Sequence, residues 1–89
     1  MDKGRYKQVF RARLSGMLAA HRARLGISQA KMAQRLRITL RAYTDLENGR
    51  SNFSAWSLLF FMIALPDEDV CQLLRALRQD VAGAGHEAA

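Results

Sequence analysis

Eighty-nine residues, 49% hydrophobic and 25% charged, suit a single folded domain and exclude both a two-domain chain and a disordered tail. Six glycines and one proline exclude a collagenous or proline-rich chain. The lone cysteine, Cys71, excludes an internal disulfide framework and a cysteine-rich zinc site, and it fits a reducing cytoplasm. The net charge of +6 is unevenly placed: residues 1–50 carry twelve bases and three acids, residues 51–89 two bases and five acids. A basic front half joined to an acidic back half suggests a face for a polyanion, against the plainer reading of a solvated basic surface.

The opening Met1-Asp2-Lys3-Gly4-Arg5-Tyr6-Lys7 has no apolar stretch of the kind a signal peptide carries. The longest apolar run, Leu58 to Leu65, is far shorter than the ~20 residues of a spanning helix. Residues 1–8 read as a basic arm or a helix start, with Lys3, Arg5 and Lys7 as its cations. The expectation is an intracellular protein of the cytoplasm, at the nucleoid.

The pattern is all-α, with five helices and no alternating strand signal. The first covers about Tyr6 to Leu25, with Phe10, Leu14, Met17, Leu18 and Leu25 at helical spacing and Gly26 as its stop. The second begins at Ser28, an N-cap residue, and runs to about Leu36 with Met32, Ala33 and Leu36 inward. The third has Thr39 as N-cap, Tyr43 and Leu46 inward, and Asn48-Gly49 at its end. The fourth follows a loop at residues 51–54 and runs from Ala55 to Leu65, where Pro66 ends it. Its expected core side is Ala55, Leu58, Leu59, Met62 and Leu65. The fifth opens with Asp67-Glu68-Asp69 at the positive end of the helix dipole, and its stripe is Val70, Leu73, Leu74, Leu77 and Val81. The domain is expected over 9–81, with 82–89 as a flexible tail.

The second and third helices are joined by only about three residues, Arg37 to Thr39, and small Ala33 lets two helices cross closely. This is a helix-turn-helix layout, in which the second helix of the pair enters the major groove. The string Leu25-Gly26-Ile27-Ser28-Gln29-Ala30, then Met32-Ala33-Gln34-Arg35-Leu36, resembles the phage repressor and Cro class, the XRE family. Leu46-Glu47-Asn48-Gly49-Arg50 resembles the same family at the matching distance, and Ser54 to Leu65 resembles its fourth helix. The resemblance covers roughly residues 10 to 66. It implies a lambda-repressor-like bundle of about five helices that binds operator DNA, usually as a two-fold dimer. Two positions depart from the family: Arg37 stands where the turn often has a glycine with positive φ, and Tyr43 stands where an aliphatic is usual, its hydroxyl needing a partner.

Thr39, Leu40, Arg41, Thr44 and Asp45 form the outward side of the third helix and are the candidate base readers. The planar fork of Arg41 suits guanine O6 and N7, and Leu40 suits a thymine methyl unless it packs on Met32 or Leu36. Asp45 either accepts from cytosine or orients Arg41 four residues back. The resemblance implies that Gln29 meets phosphate and braces the recognition helix, and that Asn48, the Gly49 amide and Arg50 grip phosphate. Ser28 at the second helix start, Arg37 in the turn and Arg22 late in the first helix complete the candidate phosphate set, Arg22 being alternatively a solvated side chain.

Trp56, Phe60 and Ile63 share a second apolar face of the fourth helix. Either the fifth helix covers it, or a second copy does, with Leu74 and Leu77 joining the dimer interface. His21 and His86 have no metal-ligand spacing with Cys71 or a carboxylate cluster, so neither metal nor cofactor is expected, and no enzymatic motif is present.

The sequence therefore implies a DNA-binding transcriptional regulator, a dimeric repressor of a phage or mobile-element operon acting on a palindromic double-stranded operator, without a sensor domain. One alternative is the antitoxin of a toxin–antitoxin pair, with the toxin as partner of the acidic half. Another, from a different class, is a protein-interaction module that does not bind DNA.

Overall fold

Two long helices pack along each other, and three short ones complete the fold between them in sequence. The structure, a computed structural model, describes the backbone of residues 3–88 and the side chains of residues 4–84. The elements are α1 (Lys3–Leu25), α2 (Gln29–Leu36), α3 (Leu40–Glu47), α4 (Ala55–Ala64) and α5 (Asp67–Ala88). There is no strand among the described residues, so the all-α fold is as the sequence implies. None of these helices is long and apolar enough to cross a membrane.

α2 and α3 start where their capping residues Ser28 and Thr39 predict, and Ser54 caps α4 in the same way. The hydroxyl of Ser28 accepts from the Lys31 N–H, that of Thr39 from Ala42 and that of Ser54 from Ser57, each at 3.1 Å. Each cap satisfies an N–H that the first helical turn leaves unpaired, typically stabilising by about 1 kcal/mol. Gly26 and Gly49 close α1 and α3 in the left-handed conformation, with φ of 65° and 72°.

α1 and α5 run antiparallel in register. Arg13 bonds Asp80 with Nε and Nη2, at 2.8 and 2.9 Å, while Arg24 reaches Asp69 at 3.1 Å. A step of eleven residues forward on α1 is thus a step of eleven backward on α5, about three helical turns. Both helices are longer than the sequence pattern suggests. α1 begins at Lys3 rather than near Tyr6, and α5 continues past Val81 through the residues read as a tail to Ala88, with Ala84 buried. The two extensions lie at the same end of the antiparallel pair, and Ala82, Ala84 and Ala88 favour the continuation of α5.

The core joins α1 to the short helices: Leu18, Met32, Ala33, Leu36, Tyr43, Leu46, Phe61 and Leu65. Leu25, expected inward, is exposed at the end of α1, while His21 is buried with its ring edge-on to Phe61. α4 is rotated from the expected register. Ser57 and Phe61 are its buried residues, with Leu65 just beyond its end, whereas Ala55 and Leu59 are exposed. The reason is that α4 is apolar on every side, so its period marks no core face, and the Phe61 ring stacks on Phe53 at 5.6 Å. Buried Ser57 is satisfied by Ser54, whose hydroxyl lies 2.9 Å from its own.

Candidate nucleic-acid interface

α2 and α3 are held at a fixed angle by the turn between them. Arg37 adopts φ 60° and ψ 42°, the left-handed conformation that its place in the turn predicts. The Arg37 N–H donates to Gln34 O and the Ile38 N–H to Ala33 O, both at 3.1 Å, the Schellman pairing. A non-glycine residue in this conformation costs about 1–2 kcal/mol. The guanidinium of Arg37 lies 4.9 Å from the centroid of Phe60 on α4, an attraction that offsets part of that cost. α3 ends in the same motif, with Gly49 N–H on Leu46 O at 3.1 Å and Arg50 N–H on Asp45 O at 2.8 Å. The Gly49 amide, expected to grip phosphate, is therefore already engaged within the protein.

The outer side of α3 carries the residues expected to read bases. Leu40 is 50% exposed and does not bury itself against α2, and Arg41 is exposed beside it. Thr39 is exposed, with its hydroxyl oxygen used as the cap of the helix. The Thr44 hydroxyl donates to Leu40 O at 2.9 Å, and half-buried Asp45 lies one residue on. Among the described residues no hydrogen bond or ion pair links Asp45 to Arg41.

The inner side of α3 is fixed by Glu47, which the motif Leu46-Glu47-Asn48-Gly49-Arg50 contains without revealing its role. Its carboxylate accepts from Arg22 Nε and Nη2, each at 2.8 Å, from the Tyr43 hydroxyl, and from Gln29 Nε2 at 3.4 Å. Its backbone oxygen accepts from Ser15 Oγ at 2.6 Å. Arg22 also donates Nη1 to Ile27 O at 3.1 Å. Three helices thus converge on one carboxylate at the end of α3. The hydrogen bonds from Arg22, with help from Tyr43 and Gln29, hold Glu47 down at about 2, despite its partial burial. Burial, then the hydrogen bond to Glu47, pushes the Tyr43 phenol up, and Arg22 is pushed up by its bond to Glu47. The signal available in sequence was the spacing of Tyr43 and Glu47, one helical turn apart; Arg22 and Gln29 lie too far off along the chain for any local pattern to pair them.

The remaining candidates fall in different places. Ser28 caps α2, and Gln29 Nε2 donates to the Glu47 carboxylate. Asn48 and Arg50 are exposed beyond the end of α3. Arg22 is tied into the Glu47 network, and Arg37 lies over Phe60. Trp56 and Ile63 are 75% and 76% exposed, with Leu59 exposed between them. Phe60 instead packs on the core and faces α2, and α5 lies along α1 rather than over Trp56. Leu74 and Leu77 line an apolar cleft of about 450 Å³ between α1, α4 and α5. Cys71 is a free, exposed thiol.

Two short helices set by a tight turn, the second with a braced inner side and an open outer side, define a helix-turn-helix, a DNA-binding fold. The family described as "Helix-turn-helix domain" matches residues 13–88, and the chain belongs to it. No curated protein and no solved structure matches the chain significantly.

Proposed function

We propose that the protein is a sequence-specific transcriptional regulator of the phage repressor and Cro type, a repressor of a phage or mobile-element operon. In this reading a two-fold dimer places the outer side of α3 in successive major grooves of a palindromic operator, about 34 Å apart. The observation that carries it is the division of α3 into two sides. Glu47 fixes one to α1 and α2, which leaves Leu40 and Arg41 presented at a constant height and angle on the other. Arg41 reads guanine, Leu40 meets a thymine methyl, and Thr39, Thr44 and Asp45 complete the contact with bases. Gln29, Asn48 and Arg50 hold phosphate oxygens, joined by the N–H groups beside Ser28 at the α2 start. Arg22 supports this surface from behind, and Arg37 secures the turn. The exposed Trp56, Leu59 and Ile63 of α4 form the dimer contact.

Fluorescence anisotropy tests the reading, with DNA from upstream of the gene and a scrambled duplex titrated at several salt concentrations. Tight binding to the upstream DNA alone, with log K falling linearly in log salt, is expected. Equal affinity for the two duplexes, or none for either, overturns it. A second reading, the antitoxin, is favoured by the same uncovered face of α4, which then receives a toxin. It predicts co-purification with the product of a neighbouring gene.

A further inference from the structure

The cleft between α1, α4 and α5 has a polarity that the DNA-binding reading does not use. Its walls are apolar: Phe10 and Leu14 from α1, Leu58 and Met62 from α4, Leu73 and Leu77 from α5. Its volume of about 450 Å³ lies within the roughly 300–1,000 Å³ of small-molecule sites. Its polar lining is confined to two residues, Lys7 and Asn52, and no acidic residue lines it. Arg11 donates to Asn52 Oδ1 at 3.3 Å, which brings a second cation close to that part of the wall. Among the described residues no carboxylate lies within ion-pair distance of Lys7.

We propose that this cleft binds one amphipathic carboxylate, an acid with an unbranched apolar chain. The chain lies against Leu14, Met62 and Leu77, and the carboxylate meets the Lys7 ammonium. An apolar surface of this size gains by excluding water, and the positive charge of Lys7 at its border, with Arg11 nearby, selects the sign of the head. Binding in the cleft does not depend on DNA, and its test contains none.

The probes are decanoate and decyltrimethylammonium, with like chains and opposite heads, titrated below their micelle concentrations into the full chain. Calorimetry reads affinity, and methyl NMR reads position. Saturable one-to-one binding of decanoate is expected, with shifts at Leu14, Met62 and Leu77 but not at Ile63. Affinity rises roughly fourfold per added methylene, and K7E reverses the preference between the two heads. Met62→Trp fills the cleft and abolishes binding; if that variant fails to fold, Leu74→Trp closes the cleft from its rim. Equal affinity for both probes, shifts centred on Ile63, or no binding overturns the proposal. So does a change from dimer to monomer in either filled variant without decanoate binding to the parent, which makes the cleft an interface between copies.

Discussion

Arg22 on α1 and Glu47 at the end of α3 meet through two parallel N–H···O bonds, each of 2.8 Å. The pairing is bidentate, so it fixes direction as well as distance. With Tyr43 and Gln29 on the same carboxylate, the pose of α3 depends on one acidic side chain.

Removing that acid has two consequences. Glu47→Ala leaves the fully buried Tyr43 without its hydroxyl partner, and is expected to destabilise the fold by about 1–3 kcal/mol in urea denaturation. It is also expected to weaken binding to cognate DNA, since α3 loses its brace. Unchanged stability and unchanged affinity would remove Glu47 from the mechanism.

The same carboxylate sets an acid limb. An ordinary glutamate takes up its proton near 4.5, whereas folded Glu47 does so near 2. Between these values the unfolded chain holds more protons, so acid favours unfolding. The contribution is fully present above pH 4.5 and is lost as pH falls towards 2. Thermal melts over this range are expected to fall more steeply for the parent than for Glu47→Gln.

His21 gives a second, separate window. Burial, aided by the Arg24 and Arg35 charges and opposed by Asp69, holds it below its ordinary 6.5. The unfolded histidine protonates first, so stability is fully present above pH 6.5 and declines below it. NMR titration of the ring is expected to give a midpoint under 6.5, and a midpoint above it would contradict the buried placement.

At Arg37 two effects oppose each other. Arg37→Gly removes the left-handed strain and loses the contact with Phe60; Arg37→Ala loses the contact and keeps the strain. The glycine variant is therefore expected to be more stable than the alanine variant by about 1 kcal/mol in denaturant melts. The reverse order would show that the backbone is not held at positive φ.

Arg41→Ala is expected to weaken specific binding by about 1–3 kcal/mol and to relax preference at one base pair in a panel of operator variants. Equal losses on cognate and scrambled DNA would make Arg41 a phosphate contact instead.

The boundaries of the short helices were legible in the sequence because their signals are local: Ser28, Thr39 and Ser54 bond within one turn, and Gly26 and Gly49 take conformations that few other residues accept. Positive φ at Arg37 was legible only through the family resemblance. The register of α4 was not legible, because Phe60, Phe61, Met62 and Ile63 follow one another and any of them can face inward on composition alone. Nor was the Glu47 network, since Arg22 lies 25 residues away and only the fold brings it near. The exposed position of Leu40 and Arg41 follows from the inward placing of Tyr43 and Leu46, which periodicity had given.

The antiparallel pairing of α1 with α5 also orders events during synthesis. Leu14 and Leu77 line the same cleft from helices at opposite ends of the sequence. At about 5–20 residues per second, the ribosome needs on the order of several seconds to pass from one to the other. Throughout that interval the apolar flank of α1 has no α5 to cover it. The nascent chain is then most open to capture by a chaperone, and Arg13 and Arg24 meet their partners only once α5 has emerged.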